Sequence, residues 1–130
     1  MRYDRQAVYH RSHEWARKEE DLVVVGISDY AQDSLGQVVF VELPAEGTHL
    51  AQDGLLGVVE ALKAASDVYA PVSGVVAQVN RELAENPSII NTDPYGKGWF
   101  VKLRPDSTEE YEGLMSAAAY EASVEGKSAP

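Results

Sequence analysis

The chain has 130 residues, 45% of them hydrophobic and 8% aromatic, and it contains no cysteine. That length suits one domain around one core packed mainly from Val, Leu, Ile and Ala, and the missing thiols exclude disulfides, thiolate nucleophiles and cysteine-ligated metals. Eleven basic residues against twenty-one acidic ones give a net charge of -10, which repels a phosphate backbone and argues against nucleic acid as a partner.

The opening MRYDRQAVYHRSHEW has no apolar signal core, and no later run approaches the ~20 apolar residues that span a bilayer. A protein of the bacterial cytoplasm without a membrane partner is expected. His10, His13 and Glu14 stand close together in HRSHE, but without the HExxH spacing that puts two imidazoles and a carboxylate on one helix face, so no metal site is expected. Trp15 and Trp99 are predicted core or cleft-wall aromatics.

The first strand signal is LVVVGIS (22–28), followed by SDYAQDSLG. Ser28 or Asp29 caps a helix of about two turns there, with Gly36 closing its end. QVVFVEL (37–43), LLGVVEAL (55–62), DVYAPV (67–72) and GVVAQV (74–79) are further short Val-rich runs bounded by Gly, Pro or acidic residues, the spacing of a small sandwich or barrel. GVVE at 57–60 and GVVA at 74–77 form a faint internal echo around Lys63. Pro71 and Gly74 predict a bend between the last two runs. RELAEN (81–86) suits one helical turn stopped by Pro87, and WFVKL (99–103) reads as a half-buried strand. Beyond Pro105, Ser107 with Glu110 has the capping-box pattern, and Leu114, Met115, Ala118, Ala119 and Tyr120 form an apolar stripe. Two short helices are predicted over 107–124, with residues 126–130 as a disordered tail.

Lys63 is the residue that points to chemistry. It follows the strand-like GVVEAL, and Ala64 and Ala65 leave room for an enzyme or a cofactor chain beside it. A tethered group needs such a rigid base and free tip. No base accompanies the lysine to make it a nucleophile, and no catalytic residues converge elsewhere. A non-catalytic carrier is expected. Glu60 reads equally as a partner contact or a solvated strand position.

VVEALKAASDVYAPVSGVVAQVN (58–80) resembles the lipoyl-lysine segment of the glycine cleavage system H protein family. HEW (13–15), VGISDYAQDSLGQVVFVELPAEG (25–47), NTDPYGKGWFVKL (91–103) and SAAAYEA (116–122) extend the likeness over roughly residues 9–122. The resemblance implies a lipoyl/biotinyl-like barrel-sandwich hybrid of two small antiparallel sheets with short helices, Lys63 at a hairpin turn, and lipoic acid joined to Lys63 by an amide. It further implies transfer of an aminomethyl group from the pyridoxal-phosphate glycine decarboxylase to an aminomethyltransferase. A dihydrolipoyl dehydrogenase then reoxidises the arm, and lipoate ligase or a lipoyl/octanoyl transferase attaches it. Ser12, Glu14 and Asp67 are expected to receive the cationic amine, since similar polar residues line the docking cleft of the family. Many members read Ser-Val before the lysine where this chain has Ala61 and Leu62, a change that bears on ligase recognition. A biotin carrier is the nearest rival, but such carriers usually flank their lysine with methionines. An adaptor that relays lipoyl groups to other proteins is a further reading.

Overall fold

The computed structural model describes residues 1–128. In chain order the strands are β1 (Val8–Tyr9), β2 (Glu14–Glu19), β3 (Leu22–Ile27), β4 (Val38–Glu42), β5 (His49–Leu50), β6 (Leu55–Ala61), β7 (Ala65–Tyr69), β8 (Gly74–Val79), β9 (Val101–Pro105) and β10 (Met115–Ser116). The helices are α1 (Asp29–Leu35), α2 (Glu82–Glu85), α3 (Ile89–Thr92), α4 (Glu109–Glu112) and α5 (Ala117–Ser128). The molecule is mainly β, with two antiparallel sheets of unequal size. Seven strands run in the order β10-β1-β2-β3-β9-β8-β5, and three in the order β4-β6-β7.

Burial on both faces of the large sheet explains the unbroken apolar run in β3. Val23, Val25 and Ile27 join the main core, together with Val38, Val41 and Val59 from the small sheet. Val24 faces the other way, into an aromatic cluster with Tyr9, Trp15 and Tyr120. Strand β2 has the same two-sided burial, Ala16 in one cluster and Trp15 in the other. Trp15 lies opposite Gly26, where an added Cβ would approach the indole to 2.8 Å. Trp15 is therefore a core residue, and Trp99 is half-buried with Lys102 over its ring.

Local signals place α1, β3, β4, β6 and β8 closely. Ser28 caps α1 by accepting from the Ala31 N–H at 3.2 Å, and Gly36 closes it at φ 81°. Gly57 and Gly74, the glycines of the internal echo, both lie against backbone. A Cβ would come to 2.1 Å from the Glu42 carbonyl oxygen at the first and 2.5 Å from the Arg104 oxygen at the second.

Other expectations need correction. Strand β9 starts two residues later than WFVKL suggests, and β7 starts at Ala65 and ends at Tyr69. The Ser107–Glu110 capping box does not form, since Thr108 occupies the N-cap of α4 without a side-chain bond. The Glu110 carboxylate instead accepts from the Ser73 N–H at 2.7 Å and the Ser73 hydroxyl at 3.0 Å. Leu114 and Met115 lie before α5, Met115 in β10, and the buried stripe of that helix is Ala117, Tyr120 and Val124. The tail expected from 126 is helical through Ser128, while residues 129–130 lie outside the described residues.

Candidate functional site

Lys63 sits at the tip of the β6–β7 hairpin. The Ala61 N–H donates to the Ala64 carbonyl at 2.7 Å, closing the turn, and the Leu62 N–H donates to the Gln37 carbonyl at 3.2 Å, tying the tip to the start of β4. The turn backbone is thus held from two sides. Leu62 is 70% exposed, Lys63, Ala64 and Ala65 are exposed too, and no partner engages the lysine amine among the described residues.

Strand β7 connects that tip to a buried polar group. Glu14 is only 1% exposed. Its Oε2 accepts from the Tyr69 N–H at 2.9 Å and its Oε1 from the Ser12 hydroxyl at 2.5 Å. The turn Arg11–Ser12–His13 between β1 and β2 brings these groups together. His13 adopts φ 82° there, a left-handed conformation that completes a three-residue hairpin loop. Its N–H donates to the His10 carbonyl and its carbonyl accepts from the Ser28 N–H, each at 2.9 Å.

His10 lies under the same turn, 4% exposed. Its Nε2 contacts the Asp53 carboxylate. Its Nδ1 is 2.6 Å from the Ser12 hydroxyl oxygen and 3.4 Å from Glu14 Oε1. Hydrogen bonding to Glu14, and then to Asp53, raises the imidazole above its usual range against the opposing effect of burial. The Asp53 carboxyl is held below its usual range, first by its bond to His10 and then by the Arg11 charge against burial.

His10, Arg11, Ser12, Asp53 and Tyr69 line a depression of about 230 Å³. The structure thus joins Ser12 and Glu14 directly, but Glu14 lies beneath the depression. Asp67 is exposed on β7 and meets the set only through Tyr69, whose hydroxyl donates to Asp67 Oδ2 at 3.4 Å. His10, Asp53 and Tyr69 are the members that sequence reasoning missed. The signal for His10 lies in HRSHE, but the sequence names no partner for it. Among the described residues no group of three His, Cys, Asp or Glu could hold a metal ion.

An accessible amine on a braced turn can be acylated, and a carboxylate with a hydroxyl under a shallow cleft can stabilise a cation. The family model described as glycine cleavage H-protein matches residues 7–127. The glycine cleavage system H protein of Psychrobacter cryohalolentis is 55% identical over 114 residues, covering 87% of this chain and 90% of that protein. Its counterpart from Acinetobacter baylyi is 48% identical over 124 residues, covering 95% of this chain and all of that one. The crystal structure of a glycine cleavage system H protein from Mycobacterium marinum superposes with a TM-score of 0.86 at 34% identity, covering 95% of this chain and 98% of that one. Agreement of sequence and fold over nearly the whole length makes this chain a member of the glycine cleavage H-protein family.

Proposed function

We propose that the chain is the lipoyl carrier of the glycine cleavage system, one non-catalytic domain that serves glycine decarboxylase, the aminomethyltransferase and dihydrolipoyl dehydrogenase in turn. The observation that carries this reading is the exposed Lys63, without a partner among the described residues, on a turn braced from two sides. These residues fit the group. The ε-amine is free to form an amide with an activated lipoyl carboxyl delivered by lipoate ligase or lipoyl/octanoyl transferase, and Ala64 and Ala65 leave the approach open.

Lipoic acid would supply a disulfide that takes up the one-carbon unit with its amine and a dithiol that is later reoxidised. The chain's own residues do the rest. The hairpin turns successive encounters into deliveries at raised effective concentration. Ser12 and Glu14, with Asp67 at the rim, offer acceptors and negative charge to a cationic amine. A chain without cysteine offers no competing thiol for exchange.

The biotin reading finds no supporting observation, since Leu62 and Ala64 flank the lysine. The bacterial relatives agree with action in a bacterial cytoplasm, and no described helix is long and apolar enough to cross a membrane. Intact and peptide mass spectrometry of protein from its native source tests the proposal. A lipoyl mass on the Lys63 peptide is expected, and unmodified Lys63 in lipoate-producing cells overturns it. Loss of ammonia or formaldehyde from loaded protein tests the resting place. It is expected to accelerate in Glu14→Ala/Asp67→Ala, and an unchanged rate removes those residues from the role.

A further inference from the structure

The His10 ring stands in two hydrogen-bond patterns at once. With an imidazolium, Nε2–H donates to Asp53 and Nδ1–H donates to the Ser12 hydroxyl oxygen at 2.6 Å, leaving that hydroxyl to donate to Glu14. With the neutral ring protonated on Nε2, the bond to Asp53 survives and Nδ1 becomes an acceptor. The Ser12 N–H is already aimed at it from 3.1 Å. The Ser12 hydroxyl then has a choice of acceptor, and Glu14 loses the cation beside it. Each proton state has a partner for every atom that changes role, so the site is built for both.

We propose that His10 is a positioning residue for the amine-binding cleft, its proton directed to Glu14 and Ser12 in the empty site and leaving when a cationic amine takes its place beside them. This inference rests on the proposed carrier function and adds the occupant with which that amine competes. The groups facing His10 are Arg11 from the β1–β2 turn, Glu14 from the start of β2, Asp53 from the loop before β6, and Tyr69 from β7. Arg11 is directed to Asp53 at 3.7 Å. The Tyr69 N–H is already given to Glu14. His10 is thus the one titrating cation that reaches Glu14 among these groups. An arriving ammonium and the imidazolium repel each other while sharing one carboxylate, so by linkage each weakens the other equally. Docking of the amine is stronger on the alkaline side of the His10 midpoint and weaker on the acidic side.

The absence of cysteine permits a clean test on the full lipoylated chain. After phosphine reduction of the arm, its thiolates displace bromide from 2-bromoethylamine or, as a neutral control, from 2-bromoethanol. Each reaction forms a C–S bond and releases bromide. Titration of the His10 ring by nitrogen-detected NMR is expected to give a midpoint about one unit lower with the aminoethyl arm than with the hydroxyethyl arm, a tenfold loss of proton affinity. His49, bonded to Asp106 at 2.7 Å, supplies the reference signal in the same spectra.

A second readout is the difference in melting temperature between the two alkylated forms. In the native chain it is expected to grow in favour of the aminoethyl form from pH 5.5 to 8. In His10→Gln, which keeps an N–H for Asp53 without a titration, it is expected to stay constant. Equal His10 midpoints in two forms whose alkylation mass is verified overturn the inference and leave the carrier function standing. A Lys63 that accepts no lipoyl group from a ligase overturns both.

Discussion

At the tip of the β6–β7 hairpin, Lys63 stands in solvent between Leu62 and Ala64. At the far end of the same hairpin, the Tyr69 backbone is bonded to a carboxylate that is 1% exposed. The tip is held by two backbone hydrogen bonds and contributes no side chain to the core. The floor is held by a buried carboxylate whose partners are the Tyr69 N–H and the Ser12 hydroxyl. An exposed residue that orders nothing can be replaced with little effect on folding, whereas removing one member of a buried polar set leaves its partners unsatisfied. Attachment at Lys63 would therefore be separated from the stability of the fold along one pair of strands.

The largest expected effect is on attachment. Lys63→Arg keeps the charge and is expected to abolish lipoyl loading completely, read by intact mass, while moving the unfolding free energy by less than about 0.5 kcal/mol. A marked loss of stability would mean that the tip is not energetically separate. Gly57→Ala lies on the same strand pair and is expected to do the reverse. Its Cβ would meet the Glu42 carbonyl at 2.1 Å, and forcing the strands apart costs about 2–3 kcal/mol, measured by urea unfolding. A cost near zero would refute the close approach.

Glu14→Ala removes the acceptor of the Tyr69 N–H and the Ser12 hydroxyl, at an expected cost of about 1–3 kcal/mol. Glu14→Gln keeps one acceptor oxygen and is expected to cost less. Equal losses would mean that charge, not hydrogen bonding, governs the floor. The smallest effect belongs to Ser107→Ala, which removes no cap and is expected to stay within about 0.5 kcal/mol of the native chain. Glu110→Ala breaks both bonds to Ser73 and should cost about 1 kcal/mol. Thermal melts of the pair would expose the error if Ser107 proved the more costly.

Much of the fold was legible because the central strands combine long Val-rich runs with sharp punctuation, as in β3, β4, β6 and β8. Strand β2 was not legible. Glu14, Trp15 and Ala16 are all buried, so the strand lacks the alternation that marks a half-buried one. The two-residue strands β1, β5 and β10 are too short to show a period, and they exist only because longer neighbours pair with them. The capping box failed for a tertiary reason. Ser73 offers Glu110 two donors, more than the start of a four-residue helix provides. At the site, the exposed turn that carries Lys63 was legible from the strand-like runs on either side of it. The His10–Asp53 contact joins residues 43 positions apart, and nothing local in either segment announces it.

One feature of the small sheet bears on how such a protein survives repeated encounters. Val39 is an extra residue in β4, bulged between the pairs Val38–Ala61 and Phe40–Glu60, and it leaves Val39 and Phe40 44% and 49% exposed on an edge strand. A flat apolar edge would template the addition of a strand from another chain. The bulge breaks the repeat of donors and acceptors and turns the strand away. The same apolar residues then remain open to side-chain contact while an aggregating neighbour finds no ladder to extend.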